Sequence, residues 1–205
     1  MELHVPHGSI RSVKDFLVHI GIVTVGVVIA LGLSQLVEAH HRSKMAAETL
    51  EGFHREITFA QSQVKQVLVI ISTSRGQIET EIAKLSVPPA QGAVQEPIEY
   101  PTVFYQLIRK ASWETAIATQ VLGALPPDKV RGYELAYEEL QLFVDLERTG
   151  VGYHDNLHAY GENAASLSAE ERRALIKELR RYQAFSRFLE LAGEDTLKSC
   201  AVALN

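Results

Sequence analysis

The chain has 205 residues and a formal net charge of −5 at pH 7, from 25 acidic and 20 basic side chains. That balance argues against nucleic acid as a main partner, since there is no basic excess to offset phosphate charge. A single cysteine, Cys200, excludes an intrachain disulfide, and the length allows one membrane anchor and one folded domain of ordinary size.

Residues 1–15 include Arg11 and Lys14 and read as a short tail. Phe16–Val37, FLVHIGIVTVGVVIALGLSQLV, then forms the one segment that reads as a bilayer crossing. Its centre, Ile20–Leu33, carries no charge and one hydroxyl, Thr24. At about 1.5 Å of rise per residue, roughly 20 such residues match a hydrocarbon core about 30 Å thick. A secretory signal has the same general form, and Val37-Glu38-Ala39 offers a small-residue cleavage point. Signal cores span about 7–15 residues, however, and this run is longer. The helical pattern also continues through the cleavage point into Arg42 and Lys44, so an uncleaved signal-anchor is expected. The short tail should set the orientation and stay in the cytoplasm, which places the remainder in the periplasm.

Residues 38–87 read as a stalk helix that forms the first helix of a bundle. Leu50, Ile57, Val64, Ile71, Ile78 and Leu85 recur every seven residues, with Phe53, Ala60, Val67 and Ser74 at the second position of the repeat. This 3-4 spacing gives a helix one apolar seam. Between Ser34 and Leu85 the weak points are Gly52 and Gly76, so anchor and stalk are expected to form one helix. Pro88-Pro89 ends it, and residues 88–101 read as a loop.

The remaining helices occupy residues 102–205. A second helix is predicted over Thr102–Leu125, with Phe104, Leu107, Ile108, Trp113, Ile117 and Val121. Pro126-Pro127-Asp128 opens a third, whose seam is Val130, Tyr133, Tyr137, Leu140 and Val144. Gly150 and Gly152 are expected to interrupt it before a stretch from Tyr153 to Ala165. Ser168 with Glu171 three residues on forms a capping box and starts the fourth helix. Its seam is Leu175, Leu179, Tyr182, Phe185 and Leu189. No stretch alternates with period two, so the fold class is all-α: one transmembrane helix continuing into a stalk, plus an antiparallel helical bundle.

Phe16-Leu17-Val18-His19-Ile20-Gly21, Gly26-Val27-Val28-Ile29-Ala30-Leu31, Val37-Glu38 and Arg42 together resemble the anchor of a family of bacterial single-pass inner-membrane proteins of uncharacterised function. Trp113-Glu114-Thr115-Ala116, leading to Gly123-Ala124-Leu125, is similar to a tryptophan-centred motif in their soluble part. The resemblance implies an inner-membrane location and a helical extracytoplasmic domain. It carries over no functional residue.

Five constellations stand out as candidate sites. Gly26, Ala30 and Ser34 place small side chains four apart on one face of the membrane helix, where close backbone approach drives association in lipid. His19 is an ionisable residue near the start of the apolar run, able to ligate a group or meet a polar partner, but close enough to the interface to snorkel. Glu38-x-x-His41 and Glu51-x-x-His54 have di-metal spacing, yet both lie on one helix about 20 Å apart, so solvated stalk residues are expected. His154 and His158 are four apart and could form a two-histidine metal face. No third ligand is evident, so a polar surface helix is the favoured reading and no metal or cofactor is expected. Arg172, Arg173, Lys177, Arg180, Arg181 and Arg187 make the last helix basic, complementing Glu134, Glu138, Glu139, Asp145 and Glu147 on the third.

Nothing in the sequence resembles a phosphate loop, a nucleophile with its base or a CxxC knuckle. The expected function is therefore non-enzymatic: a structural or accessory subunit, or assembly factor, of a larger inner-membrane complex, or a homo-oligomer. The expected partners are membrane lipid and the transmembrane helices of another protein or of a second copy. The alternative is a membrane-tethered sensor or ligand- or metal-binding module, holding its ligand among the aromatics of helices two and four or at His154 and His158.

Overall fold

A computed structural model describes residues 13–88, 97–102, 109–161, 163 and 166–205. The described residues form helices α1 (Val13–Ser86), α2 (Ala111–Ala118), α3 (Pro127–His158) and α4 (Ala169–Leu204), with a 3-10 turn at Val121–Ala124. Among the described residues there is no strand, only one isolated antiparallel bridge between Pro97 and Asn163. The tail assigned to residues 1–15 lies outside the described residues up to residue 12, as do 89–96 of the expected loop.

The chain divides into two compact units, Met1–Glu48 and Thr49–Asn205. In the first, every described side chain from Val13 to Lys44 is exposed. The second contains the core. There α1 buries Phe53, Ile57, Ala60, Val64, Val67, Ile71, Ser74, Ile78 and Leu85 at the predicted positions, and Glu81 as well, an unbroken 3-4 rhythm with Leu50 half-buried ahead of it. Each fully buried Ile, Leu or Phe in such a seam contributes about 1.5–3 kcal/mol, so the rhythm itself carries the stability of the bundle.

The helix runs through Gly52 and Gly76 without a break. Gly52 has a packing reason to be there: a Cβ at that point would lie 2.7 Å from Ser112 Oγ. The glycine lets α2 lie directly on α1.

α4 runs antiparallel to both α1 and α3. Leu68 of α1 meets Gly193, Arg75 pairs with Glu190, and Gln183 donates to Glu79 at 3.2 Å. On the other side Gly132 approaches Ala203, while Gly150 approaches Phe185. α1 and α3 are parallel, since Tyr133 and Tyr137 meet Phe53 while Leu157 joins Ile78 and Leu85. The bundle core is thus three long helices, with the short α2 at the Phe53 end.

Three boundary expectations are corrected. The second helix is not a run from Thr102 to Leu125: α2 covers Ala111–Ala118, and Gln120 at φ 57° turns the chain into the 3-10 turn. Phe104, Leu107 and Ile108, on which the longer helix rested, lie outside the described residues. Second, α3 is not interrupted at Gly150 or Gly152 but continues to His158. Gly150 is buried, and a Cβ there would stand 3.1 Å from Phe185 Cε1, so this glycine makes room for a ring across the interface. The helix stops at the next glycine: Gly161 adopts φ 75°, a conformation favouring glycine, and its N–H reaches His158 O at 3.0 Å. Third, the α4 seam passes from Tyr182 to Ser186 and Leu189, leaving Phe185 half-buried beside it. A 3-4 rhythm sets burial by angle, and a small polar residue at the right angle displaces a large apolar one at the wrong angle.

The capping box is present in full. Ser168 Oγ accepts from Glu171 N at 3.2 Å, and Glu171 Oε2 accepts from Ser168 N at 2.7 Å. That reciprocal bonding holds the Glu171 carboxyl below the ordinary carboxylate range.

Candidate functional site

The described residues contain one helix with a stretch long and apolar enough to cross a membrane, the amino-terminal part of α1, and none of its most apolar 18-residue window is buried. Gly26, Ala30 and Ser34 lie on that stretch, all exposed, and the space a Cβ would take at Gly26 is open. His19 is likewise exposed on the helix surface. Glu38 and His41 are exposed, with Glu38 3.6 Å from Arg42. Glu51 and His54 are exposed too, and Glu51 accepts from Arg55 at 2.9 Å. These carboxylates serve local pairs along the helix, each worth a few tenths of a kcal/mol at about 0.3–0.5.

At the Phe53 end the bundle closes around aromatic rings. Phe53 lies 5.4 Å from Trp113, 5.0 Å from Tyr133 and 6.0 Å from Tyr137, and Trp113 lies 5.3 Å from Tyr137. Phe104 and Tyr105 lie outside the described residues.

Beneath these rings Glu56 receives three hydrogen bonds: Ser112 N and Ser112 Oγ, each at 2.9 Å, and Tyr137 Oη at 2.7 Å. Lys110, at the N-cap of α2, supplies no side-chain cap, so a carboxylate from another helix takes that role. Burial, then the bond to Glu56, pushes the Tyr137 phenol well above its ordinary range and keeps it a donor. Cys200 is fully buried, and burial pushes its thiol up to about 11. A thiol so placed is a small apolar core residue, not a nucleophile at neutral pH. With its oxygens bonded to a backbone amide, a hydroxyl and a phenol, Glu56 is a clamp joining α1, α2 and α3.

The opposite end is apolar at its centre, where Ile78, Leu85, Ile98, Leu157, Leu175 and Leu179 cluster with Tyr182. Polar residues also occupy seam positions. Glu81 is 3% exposed and accepts from Lys84 at 2.9 Å; Glu147 is 2% exposed. Of the complementary charges on the third and fourth helices, Glu147 and Arg172 are buried, because the 3-4 rhythm of α3 and α4 turns their positions inward. A cavity of about 440 Å³ lies beside Leu85, Pro88, Leu167, Arg172, Arg173 and Ile176.

On the last turns of α3 the two histidines converge. His154 Nε2 and His158 Nε2 are 3.0 Å apart, and their ring centroids are 4.3 Å apart. The Tyr100 ring lies 4.5 Å from that of His158, and Tyr100 Oη donates to Gly161 O at 2.5 Å. Desolvation, followed by the neighbouring His158, pushes His154 below the ordinary imidazole range and favours its neutral form. Among the described residues no group of three or more His, Cys, Asp or Glu side chains converges on a point.

The sequence offered no signal for Glu56, Ser112 or Tyr100. Glu56 sits one residue from the seam and Tyr100 in an aperiodic stretch, and their roles come from contacts 56 and 61 residues away.

No family model, curated protein or solved structure matches the chain.

Proposed function

We propose that this chain is a non-enzymatic, single-pass protein of the bacterial cytoplasmic membrane, with its amino terminus in the cytoplasm and its helical domain in the periplasm. It serves as a structural or accessory subunit, or assembly factor, of a membrane complex, or as a homo-oligomer. The observation that carries this reading is the contrast within α1: its apolar stretch is wholly exposed, whereas residues from Gly52 onward bury a regular seam against α3 and α4. The bundle has its own core, and the apolar stretch is exposed, so lipid and other transmembrane helices are what can cover it.

Gly26, Ala30 and Ser34 supply the face on which a second helix would approach closely. Extraction in mild detergent followed by native mass measurement tests the assembly reading: a homo-oligomer or a defined copurifying partner is expected. A strictly monomeric species with no partner overturns it. Reporter fusions at each terminus test the orientation, and a carboxy-terminal reporter active in the cytoplasm reverses it.

A further inference from the structure

We propose that His154 and His158 form a binding site for a divalent metal ion with cis positions near 90°, copper(II) or nickel(II), on the last turns of α3. Four-residue spacing puts both imidazoles on one helix face, and their Nε2 atoms stand 3.0 Å apart. With metal–nitrogen bonds of about 2.0–2.1 Å, that separation subtends an angle of about 94° at the ion. A tetrahedral zinc centre needs its donors about 3.3–3.4 Å apart at the same bond lengths, so the pair fits a tetragonal or octahedral ion better. Copper(II) also binds nitrogen donors most strongly among the divalent first-row ions.

The surroundings hold the donors in place. Leu157, between the two rings in sequence, is fully buried and fixes the end of α3 in the core. Tyr100 packs on His158 and is itself tied to Gly161. Asp155 Oδ1 is 3.9 Å from His154 Nδ1, so its charge favours a proton on Nδ1 and leaves Nε2 as the donor atom. A dication here also lies at a helix carboxyl end, where positive charge is favoured. The His154 side chain retains 27% exposure and His158 is exposed, so water can fill the remaining coordination positions.

Without metal, the same two atoms share one proton as an Nε2–H···Nε2 hydrogen bond. Metal binding moves that proton to the Nδ1 of the same ring, and the metal takes both Nε2 lone pairs. No net proton is released when both rings begin neutral.

The test uses the untagged full-length protein in detergent micelles, titrated with copper(II) and read by equilibrium dialysis and electron paramagnetic resonance. One equivalent is expected to show nitrogen hyperfine coupling from two imidazoles. An outer-shell partner is already worth about 10–100-fold in metal affinity, so His154→Ala or His158→Ala should weaken this equivalent by at least that much. His40→Ala with His41→Ala should leave it in place, since that exposed pair lies elsewhere on α1. Unchanged stoichiometry and coupling in the His154→Ala, His158→Ala double variant overturn the proposal, as does an equivalent lost with His40 and His41. Should the alanine variant fail to fold, the His154→Asn, His158→Asn pair carries the same readout. This site does not depend on the assembly proposed above: a monomeric protein that binds the ion overturns that reading and leaves this one standing.

Discussion

The two parts of α1 obey different rules. From Val13 to Lys44 every side chain is exposed, and from Gly52 to Leu85 every third or fourth one is buried. Both carry apolar residues, but Ile20–Leu33 is apolar almost all round and the second part along a single stripe. An all-round apolar helix needs an apolar solvent or neighbours on every side, whereas a stripe needs only two packed partners. Hydrophobic content alone does not separate the two; its angular distribution does.

The sharpest way to break this contrast is to truncate one large apolar side chain in each part. Phe53→Ala removes a fully buried ring contacted by Trp113, Tyr133 and Tyr137, and is expected to cost about 3–5 kcal/mol. Ile29→Ala, at an exposed position, should leave the unfolding of the bundle within about 0.5 kcal/mol. Denaturant unfolding followed by Trp113 fluorescence measures both, and equal losses would erase the distinction. Glycines sharpen it further. At Gly193 a Cβ would lie 2.8 Å from Leu68 Cδ2 and 2.9 Å from the buried ring of Phe143, so Gly193→Ala should cost about 1–3 kcal/mol. Gly26→Ala meets open space and should leave bundle stability unchanged, while shifting the oligomer distribution in detergent if that face is used.

A smaller effect is expected at the start of α4. Ser168→Ala removes one half of the capping box and should cost about 1 kcal/mol, read as a lower thermal midpoint. An alkaline titration gives a further check on the buried end. The Cys200 thiol rises from 9 to about 11 on folding, and the phenols of Tyr133, Tyr137 and Tyr182 rise too. A group whose pKa is raised by folding stabilises the native state below its unfolded value and loses that contribution as pH climbs through the folded one. Stability should therefore fall from about pH 9 upward, with a smaller fall in Cys200→Ala. A flat profile over pH 9–11 would mean that these groups are open to water in solution.

Much of the fold was legible because helices advertise themselves locally. The seven-residue repeat, the Pro126-Pro127 start of α3 and the Ser168–Glu171 box each rest on residues within about two turns of one another in sequence. What misled was the pair Gly150 and Gly152, read as a break. Glycine lowers helix propensity by only about 1 kcal/mol, and the packing of Phe185 against Gly150 overrides it. The candidate site was only half legible. The spacing of His154 and His158 was visible, but their 3.0 Å approach and the ring of Tyr100 were not.

The sequence by itself determined the helical class, the apolar stretch and the phase of the α1 seam, because these depend on spacing along one chain. Tertiary structure alone decided that Glu56 caps a helix 56 residues away, that Gly52 and Gly193 are contact points, and that Glu147 is buried. Those facts depend on which helix faces meet and at what register. A side chain's partner across an interface leaves no periodic trace in its own segment.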